Sequence, residues 1–220
     1  MMEHFGLIAP FKVSDTGEVR YFVPAQLQLK RKLHDIQPAS TPTGPCALYV
    51  NFDDGFVPHG LYNLLVSRFI KWCSKNGSPQ EPNLYLNAAR YFIGTKSDYQ
   101  LVLLCHKRFI KVILTCRPEK EPCFYEPAVS IREFIESSLE QIPTECPWYR
   151  SLRYHLAVLC PSCCQSSCKN HNKVDCHNDA CVHLLKVESR REDMICELNF
   201  DYGTWPKVKN LEVWYSTKRK

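Results

Sequence analysis

The amino-acid sequence predicts an α+β fold, with helices on one face of a largely antiparallel sheet. The predicted elements run in the order strand, helix, three strands, helix and strand. The three consecutive strands are joined by the short turns 94–98 and 106–108, and connections of this length join antiparallel neighbours. Both helices show apolar residues at spacings of three and four, which is the pattern of a helix that covers a core.

Length and composition fit a folded chain of one domain or two small ones. The chain has 220 residues, of which 45% are hydrophobic. It contains no apolar run long enough to span a membrane and no basic-then-apolar leader, so we predict a cytoplasmic location. The net charge of +5 is modest, and the basic runs 30–32 and 218–220 are typical of solvated surface. We therefore expect neither nucleic acid nor membrane among its partners.

The stretch from Leu48 to Trp72 is predicted to form a strand, a tight turn and a helix. Apolar residues alternate up to Phe52, Asp53-Asp54-Gly55 ends the strand, and Pro58 is expected to open the helix. Asn76-Gly77 should close the helix with a left-handed cap. The predicted core and signature residues of this stretch are Phe52, Gly55, Phe56, Pro58, Leu61, Leu64, Leu65, Phe69 and Trp72.

Upstream of this stretch the sequence predicts a hairpin and a linker. Residues 5–10 and 20–23 are extended segments around a turn at Asp15-Thr16-Gly17. By itself such a hairpin has little to pack on, and a domain that begins in mid-hairpin indicates missing upstream sequence. Residues 37–45 contain three prolines and a glycine and are predicted to link two subdomains.

Downstream, three strands are predicted at residues 84–92, 99–105 and 109–116. The run from Phe109 to Leu114 is apolar on both faces apart from Lys111, which is typical of a central strand. A second helix should begin with a capping box formed by Ser130 and Glu133. Its apolar stripe consists of Ile131, Phe134, Ile135, Leu139 and Ile142.

Pro143 and Pro147 should end the second helix, and residues 153–159 should return as a strand. Further strands are predicted at 182–187 and 194–200. A short apolar segment with a tryptophan, residues 211–215, follows them.

The cysteine and histidine content indicates a metal site. Seven of the 13 cysteines lie between Cys160 and Cys196, and the loop between the flanking strands consists mainly of polar residues that cannot build a core. Zinc can replace the missing hydrophobic burial by bonds to thiolate and imidazole. The alternative is a set of reduced, unligated thiols.

The predicted ligands of one structural zinc ion are Cys160, Cys163, Cys181 and His183. The first two leave a strand as a Cys-x-x-Cys knuckle, and the last two begin the next strand, where residues two apart point the same way. The second-choice ligands, which could also hold a second ion, are Cys168, His171, Cys176 and His177.

The sequence indicates no enzyme. A zinc deaminase requires His-x-Glu and Pro-Cys-x-x-Cys, and a thioredoxin-like Cys-x-x-Cys should open a helix. Neither pattern is present, the loop is too short for a RING module, and excess thiolates favour a closed metal site over a catalytic one. No P-loop is present, so we expect no nucleotide to bind to this chain alone. Adjacent Asp53 and Asp54 are interpreted as turn formers rather than as catalytic residues.

Two motifs resemble a known family. Residues 52–65 are similar to the signature of phenylalanine, glycine, phenylalanine, proline, glycine and leucine followed by a helix, in the second half of the COR domain of Roco proteins. Residues 5–8 with 21–27 resemble the wing and exit strand that end the first, winged-helix-like half. The two motifs occur in the family's order.

The resemblance implies that residues 1–36 end the first COR subdomain, 37–45 form the linker, 46–216 form the second subdomain with the Cys/His loop 160–183, and 217–220 are a basic tail. It also implies a non-enzymatic regulatory and dimerisation module that couples a neighbouring Ras-like GTPase domain to self-association. The rival hypothesis is a free-standing, zinc-stabilised adaptor that binds a protein partner. A P-loop GTPase encoded upstream of Met1 would distinguish the first from the second.

Overall fold

The computed structural model describes residues 8–12, 16–32, 35–36, 46–76, 80–94, 96–116, 125–160, 182–187 and 211–215. In these residues the chain forms a two-stranded hairpin and a seven-stranded antiparallel sheet with helices. The predicted α+β class is therefore confirmed. The predicted linker 37–45 and the predicted strand 194–200 lie outside the described residues.

The described elements have the following bounds. The strands are β1 Ala9–Lys12, β2 Val19–Phe22, β3 Cys46–Phe52, β4 Asn83–Leu84, β5 Ala88–Ile93, β6 Tyr99–Cys105, β7 Phe109–Cys116, β8 Tyr154–Leu159 and β9 Leu184–Lys186. The α-helices are α1 Leu61–Lys75, α2 Tyr125–Glu145 and α3 Leu211–Tyr215, and short 3₁₀ turns occur at Pro24–Gln26 and Pro147–Tyr149.

The order of strands across the larger sheet is β4-β5-β6-β7-β3-β8-β9. Strands β5, β6 and β7 form a meander of neighbours, whereas β3 inserts between β7 and β8. In the described sheet β7 therefore has three strands on each side, as its apolar residues on both faces predict.

The long helices share one face of the sheet. Alternate side chains of β3, including Leu48 and Val50, lie in the same buried cluster as the apolar stripes of α1 and α2. The opposite face carries smaller buried clusters, one around Tyr49, Phe109 and Ala157. Because side chains alternate along a strand, this division places each strand residue in one of two layers.

The stripe of α1 is buried as predicted. Leu61, Leu65 and Phe69 have no exposed surface and Leu64 is buried, whereas Trp72 is half-buried and packs at the margin. Burial of each such leucine or phenylalanine stabilises the fold by about 1.5–3 kcal/mol. The ring of Phe69 also lies 4.8 Å from the ring of Phe134 on α2, edge to face, which joins the two helices.

The start of α1 differs from the prediction. The helix begins at Leu61 with Gly60 as N-cap, so Pro58 lies before the helix and contributes its carbonyl to the Leu61 N–H. At the other end Asn76 is the C-cap, with a φ of −92°, and Gly77, the residue that would carry the left-handed conformation, lies outside the described residues. The side-chain amide of Asn76 donates to the carbonyl of Trp72, which satisfies one of the terminal acceptors.

The predicted strand 84–92 is two strands. β4 ends at Leu84 and β5 begins at Ala88, and the two pair with each other across the intervening turn. The turn is held by Asn87, whose side chain accepts from the Lys30 N–H at 2.9 Å and donates to the Lys30 carbonyl at 3.2 Å. This contact with Lys30, 57 residues away in sequence, interrupts the predicted strand at Asn87.

The second helix is longer at both ends than predicted. α2 begins at Tyr125, so Ser130 lies inside the helix and does not cap it. Pro127 fits in the first turn, where the missing N–H has no helical partner to lose. Pro143 lies within the last turn rather than ending the helix, which continues to Glu145.

The N-terminal hairpin packs on the same core. Ala9 of β1 and Phe22 of β2 are buried in the cluster that contains the helix stripes. In the full chain, therefore, the hairpin packs on the core that the rest of the chain supplies. At the other terminus α3 packs on α2, with Trp214 fully buried and the Arg132 guanidinium 4.7 Å from the Tyr215 ring centroid.

Candidate functional site

The strands β8 and β9 bring together the two ends of the Cys/His-rich loop. Leu159 pairs with Leu184, and the next residues outward, Cys160 and His183, are joined by a hydrogen bond from the Cys160 N–H to the His183 carbonyl at 2.9 Å. Residues directly opposite each other in an antiparallel pair have Cβ atoms about 4.5–5.5 Å apart on one face of the sheet. The arrangement therefore places two of the four predicted zinc ligands side by side.

The surroundings of Cys160 also fit a structural role for its side chain. Cys160 is fully buried and belongs to the helix-side core cluster, whereas His183 is half-buried. A buried thiol can pack as a small apolar group. Burial from water also suits a closed structural metal site, so the position is compatible with either role.

The other predicted ligands are Cys163, Cys181 and the second-choice Cys168, His171, Cys176 and His177, and all of them lie outside the described residues. Among the residues that the structure does describe, no group of three or more His, Cys, Asp and Glu side chains could hold a metal ion. The structure thus brings together Cys160 and His183, and the composition of the complete ligand set stays a prediction.

Arg108 fastens the base of the loop to the sheet. Its guanidinium donates a hydrogen bond to the carbonyl of Val182 at 2.9 Å, immediately before His183. Arg108 also accepts the N–H of Phe52 through its own carbonyl at 3.3 Å. The turn between β6 and β7 therefore positions the start of β9, an arrangement that the sequence analysis missed.

A polar cluster occupies the end of the sheet where β3 meets β8. The imidazole of His155 lies between two side chains of the β3 end: its Nδ1 is 2.8 Å from Asp53 Oδ1 and its Nε2 is 3.2 Å from Asn51 Nδ2. With the Asn51 amide donating to Nε2, the ring proton resides on Nδ1 and donates to Asp53. Both ring nitrogens have protein partners, so the ring works as a link between strands.

The neighbouring carboxylate has a separate partner. Asp54 Oδ1 lies 2.6 Å from the guanidinium of Arg153, and this hydrogen bond raises the pKa of Arg153 above its usual value. Each residue of the Asp53-Asp54 pair is thus bound to a basic side chain of the β8 segment. This arrangement supports the interpretation as turn formers. The sequence signal for Asn51 and His155 is that each is a polar residue that alternates with apolar residues along its strand.

The turn between β3 and α1, residues 53–60, is here called the signature turn. Two glycines and Tyr149 fix its conformation. Gly55 and Gly60 have φ angles of 76° and 79°, which L residues rarely adopt. A side-chain Cβ on Gly60 would lie 3.1 Å from Tyr149 Oη, and this hydroxyl donates to the carbonyl of His59. Phe52 is buried, but Phe56 is 53% exposed, so its assignment to the core is wrong.

Two thiols away from the Cys/His-rich loop have raised pKa values, the buried Cys73 and the half-buried Cys105. Burial raises the pKa of Cys73 to about 12 and that of Cys105 to about 11. Thiols with such values are protonated at neutral pH and are poor nucleophiles and metal ligands. They act as core residues, as their positions in apolar segments predict.

Comparison with known proteins adds no family assignment. No family model matches the chain, and no curated protein matches it. The resemblance to the COR domain therefore remains a prediction from the motifs. Separately, none of the helices in the described residues is both long enough and apolar enough to cross a membrane.

Proposed function

We propose that the chain is a non-enzymatic regulatory module of the COR type, which self-associates and couples a neighbouring Ras-like GTPase domain to that association. The proposal rests on the resemblance of residues 52–65 to the family signature. The conformation of these residues supports the proposal, because it gives a physical reason for each part of the signature. Both of its glycines occupy left-handed positions, Phe52 ends a core strand, and Leu61 begins a core helix.

Self-association is the first part of the proposal to test. Sedimentation velocity of the purified chain between about 1 and 100 μM should show a concentration-dependent shift from monomer to dimer. A sedimentation coefficient that stays monomeric over the whole range would contradict the dimerisation role. Sequencing of the transcript upstream of Met1 tests the second part, since an encoded P-loop GTPase is expected there.

We expect no nucleotide hydrolysis by the chain alone, because the sequence has no phosphate-binding loop. Steady-state release of phosphate from GTP should equal that of a buffer blank. Hydrolysis that co-purifies with the chain and disappears on a single substitution, such as Asp53→Asn, would show that an active site has been overlooked.

A second candidate function is a zinc-stabilised adaptor. One observation favours it: the β8–β9 pairing sets Cys160 and His183 directly opposite each other at the base of the loop. With Cys163 and Cys181 they would hold one ion, whose role would be to stabilise the loop. The Arg108 bond to Val182 supports the same base from the β7 side.

Metal content tests this candidate. Elemental analysis of protein purified without chelator should find about one zinc per chain. Cys160→Ser should lower metal content and stability together, whereas the control Cys164→Ser should change neither. Chelation should loosen the loop before it unfolds the region from Leu48 to Ile142. Absence of zinc from the untreated protein, or full retention of zinc by Cys160→Ser, would contradict the predicted ligand set.

A further inference from the structure

Helix α3 packs on the fold as a short, separate segment. Its five residues contact α2, and residues 188–210 separate it in sequence from the described part of the chain that includes β9. Trp214 is fully buried in the helix-side core cluster, and Val213 and Tyr215 are half-buried against the same cluster. A segment distant in sequence from the other elements therefore supplies a large core side chain.

Tyr215 adds polar contacts to this apolar anchor. The Arg132 guanidinium on α2 lies 4.7 Å from the Tyr215 ring centroid and donates a hydrogen bond to the Tyr215 oxygen. Burial raises the pKa of Tyr215 to about 12, and the charge of Glu136 contributes to this rise. Arg132 and Glu136 form an ion pair at 3.3 Å. The surface of α2 that carries these two residues, with the space in the core cluster that Trp214 fills, is here called the α3 site.

Two costs oppose the docking of α3. A helix of five residues is too short to be stable in isolation, so its ordering costs conformational entropy that only docking offsets. The buried indole Nε1 of Trp214 has no hydrogen-bond acceptor in the described part of the chain, which reduces the gain from its burial. We therefore expect α3 to detach and rebind while the sheet stays folded.

Acidic side chains outnumber basic ones on α2 beside the α3 site. Burial raises the pKa of Glu136, the charge of Arg132 lowers it, and the like charges of Glu140 and Glu133 raise it further. Arg132 thus offsets one of three negative charges. In the sequence, the basic run 218–220 follows α3 after two residues. The segment that contains α3 therefore carries positive charges that complement the charges around its site.

Every copy of the chain contains both the α3 site and the segment that fills it. The stretch 188–210 can span at most about 75 Å, so its length does not confine α3 to the α2 helix of its own copy. Exchange of an identical element between two copies keeps the contacts of that element and is a low-cost route to dimers. Binding within one copy is favoured in dilute solution, and exchange gains as the protein concentration rises.

We propose that two copies of the chain exchange α3, so that Trp214 and Tyr215 of each copy occupy the α3 site of the other. This inference rests on the self-association in the proposed function, and it names the surface through which that association occurs. A second copy is a better occupant than a segment of another protein, because its α3 matches the apolar space and its basic run matches the acidic side chains of α2.

Photo-crosslinking between isotopically distinct chains tests the exchange in the full chain. Light chains carry p-benzoyl-phenylalanine in place of the half-buried Val213, and heavy-isotope chains without the photo-group are present in excess. The mixture is equilibrated at a concentration where dimer is present, irradiated and separated into monomer and dimer, and the linked peptides are identified by mass spectrometry. In the dimer fraction we expect links from light α3 to heavy α2.

The outcomes separate this inference from the proposed function. Links from light α3 only to light α2 in the dimer fraction would overturn the exchange and leave self-association intact. Absence of any dimer by sedimentation velocity would contradict self-association, and the exchange with it.

Binding of a labelled peptide of residues 208–220 tests the α3 site directly. By fluorescence anisotropy, the full chain with Trp214→Ser should bind this peptide at least about tenfold more tightly than the unaltered chain, whose own α3 competes for the site. Trp148→Ser is the matched control, since Trp148 is 62% exposed in a different segment, and this variant should bind as the unaltered chain does. Thermal melting by circular dichroism verifies that both variants are folded, and the crosslinking measurement does not depend on either.

Two altered peptides separate the apolar and the charged contributions. The peptide with Trp214→Ser should lose binding although it keeps all its basic residues. The peptide with Lys218→Ser/Arg219→Ser/Lys220→Ser should bind at least about threefold more weakly and lose most of the salt dependence of binding. Equal binding of the Trp214→Ser peptide would overturn the assignment of the site. Tight binding of the unaltered peptide to the Trp214→Ser chain, with no light-to-heavy links in the dimer fraction, would assign the site to a segment of another protein and overturn the exchange.

Discussion

The α1 layer and the β8–β9 edge differ in how much each depends on apolar burial and on individual hydrogen bonds. α1 contributes a continuous stripe of fully buried apolar side chains and joins α2 through Phe69 and Phe134. The β8–β9 edge has only three paired positions and contributes fewer buried side chains, such as Val158 and Leu185. Individual hydrogen bonds, such as those of Cys160 with His183 and of Arg108 with Val182, add to this burial. The comparison teaches that hydrophobic burial sets the stability of the molecule, whereas local polar contacts set the order of its edge.

The largest effect is expected from removal of a side chain of the α1 stripe. Leu65 is fully buried, so Leu65→Ala should lower the free energy of unfolding by about 2–5 kcal/mol, through lost burial and the cavity that remains. Lys71→Ala on the exposed side of α1 is the control and should change it by less than about 0.5 kcal/mol. Urea denaturation measures both, and equal midpoints would show that the buried face of α1 is misassigned.

Two glycines of the signature turn form a matched pair of tests. Gly55→Ala should cost about 1–2 kcal/mol, because alanine must adopt a φ of 76° in space that the described part of the chain leaves open. Gly60→Ala should cost about 1 kcal/mol more, because its Cβ would displace the Tyr149 hydroxyl from the His59 carbonyl. Thermal denaturation of both variants measures the difference, and an equal or smaller loss for Gly60→Ala would contradict the role of Tyr149.

The buried thiol of Cys73 should make core stability depend on alkaline pH. Its pKa is raised to about 12 in the folded chain from 9.0, so the unfolded chain loses this proton first. The contribution of Cys73 to the free energy of unfolding is fully present below about pH 9. It decreases by about 1.4 kcal/mol per pH unit as the pH rises from 9 toward 12. Between pH 8 and pH 10 the urea midpoint should therefore fall less in Cys73→Ala than in the unaltered chain.

Burial also raises the pKa values of Tyr62 and Tyr91. Both tyrosines therefore lower the stability at alkaline pH, in the unaltered chain as well as in Cys73→Ala. Because the charge of Cys73 also contributes to the raised pKa of Tyr91, the difference between the two proteins measures Cys73 together with this coupling. Parallel pH profiles would mean that the thiol reaches solvent in the folded chain.

The smallest effect is expected at the β8–β9 edge. Arg108→Gln removes the bond to the Val182 carbonyl, which should ease local opening of the edge by about 1 kcal/mol with little change in global unfolding. Hydrogen exchange should accelerate at the amides of Cys160 and Val187, which donate across this edge. Lys107→Gln, at the exposed neighbouring position, is the control. Unchanged exchange in Arg108→Gln would show that other contacts fix the edge.

The sequence predicts those elements best whose signal is carried by their own side chains. The apolar run of Phe109–Leu114 marks β7 as a central strand, and the spacing of Leu61, Leu65 and Phe69 marks the buried face of α1. In both cases the periodicity reports directly on burial, which is the dominant stabilising force. These predictions needed no knowledge of the surrounding chain.

The predictions that failed depend on partners distant in sequence or on local context. The strand 84–92 is interrupted because Asn87 bonds to Lys30, and the interruption cannot be read from residues 84–92. The capping pattern of Ser130 and Glu133 lies inside α2 because the helix begins earlier, at Tyr125. Phe56 is apolar, yet the left-handed turn at Gly55 leads the chain away from the core and leaves Phe56 exposed.

The candidate metal site was predictable only in outline. The Cys-x-x-Cys and Cys-x-His spacings identify the loop, and the register of β8 and β9 then shows that Cys160 and His183 meet. The cluster of Asn51, Asp53 and His155 was not predicted, because His155 lies about 100 residues in sequence from the other two.

The position of β3 has a consequence for biosynthesis. β3 leaves the ribosome before either of its neighbours, since Asn51 pairs with Phe109 and Phe52 pairs with Tyr154. At about 5–20 residues per second, the nascent chain waits about 5–20 s between the synthesis of β3 and that of β8. During this interval a strand with buried residues on both faces, Leu48, Tyr49 and Val50, has an unpaired edge. Chaperones that hold nascent chains are therefore expected to bind residues 46–52 until β8 has been synthesised.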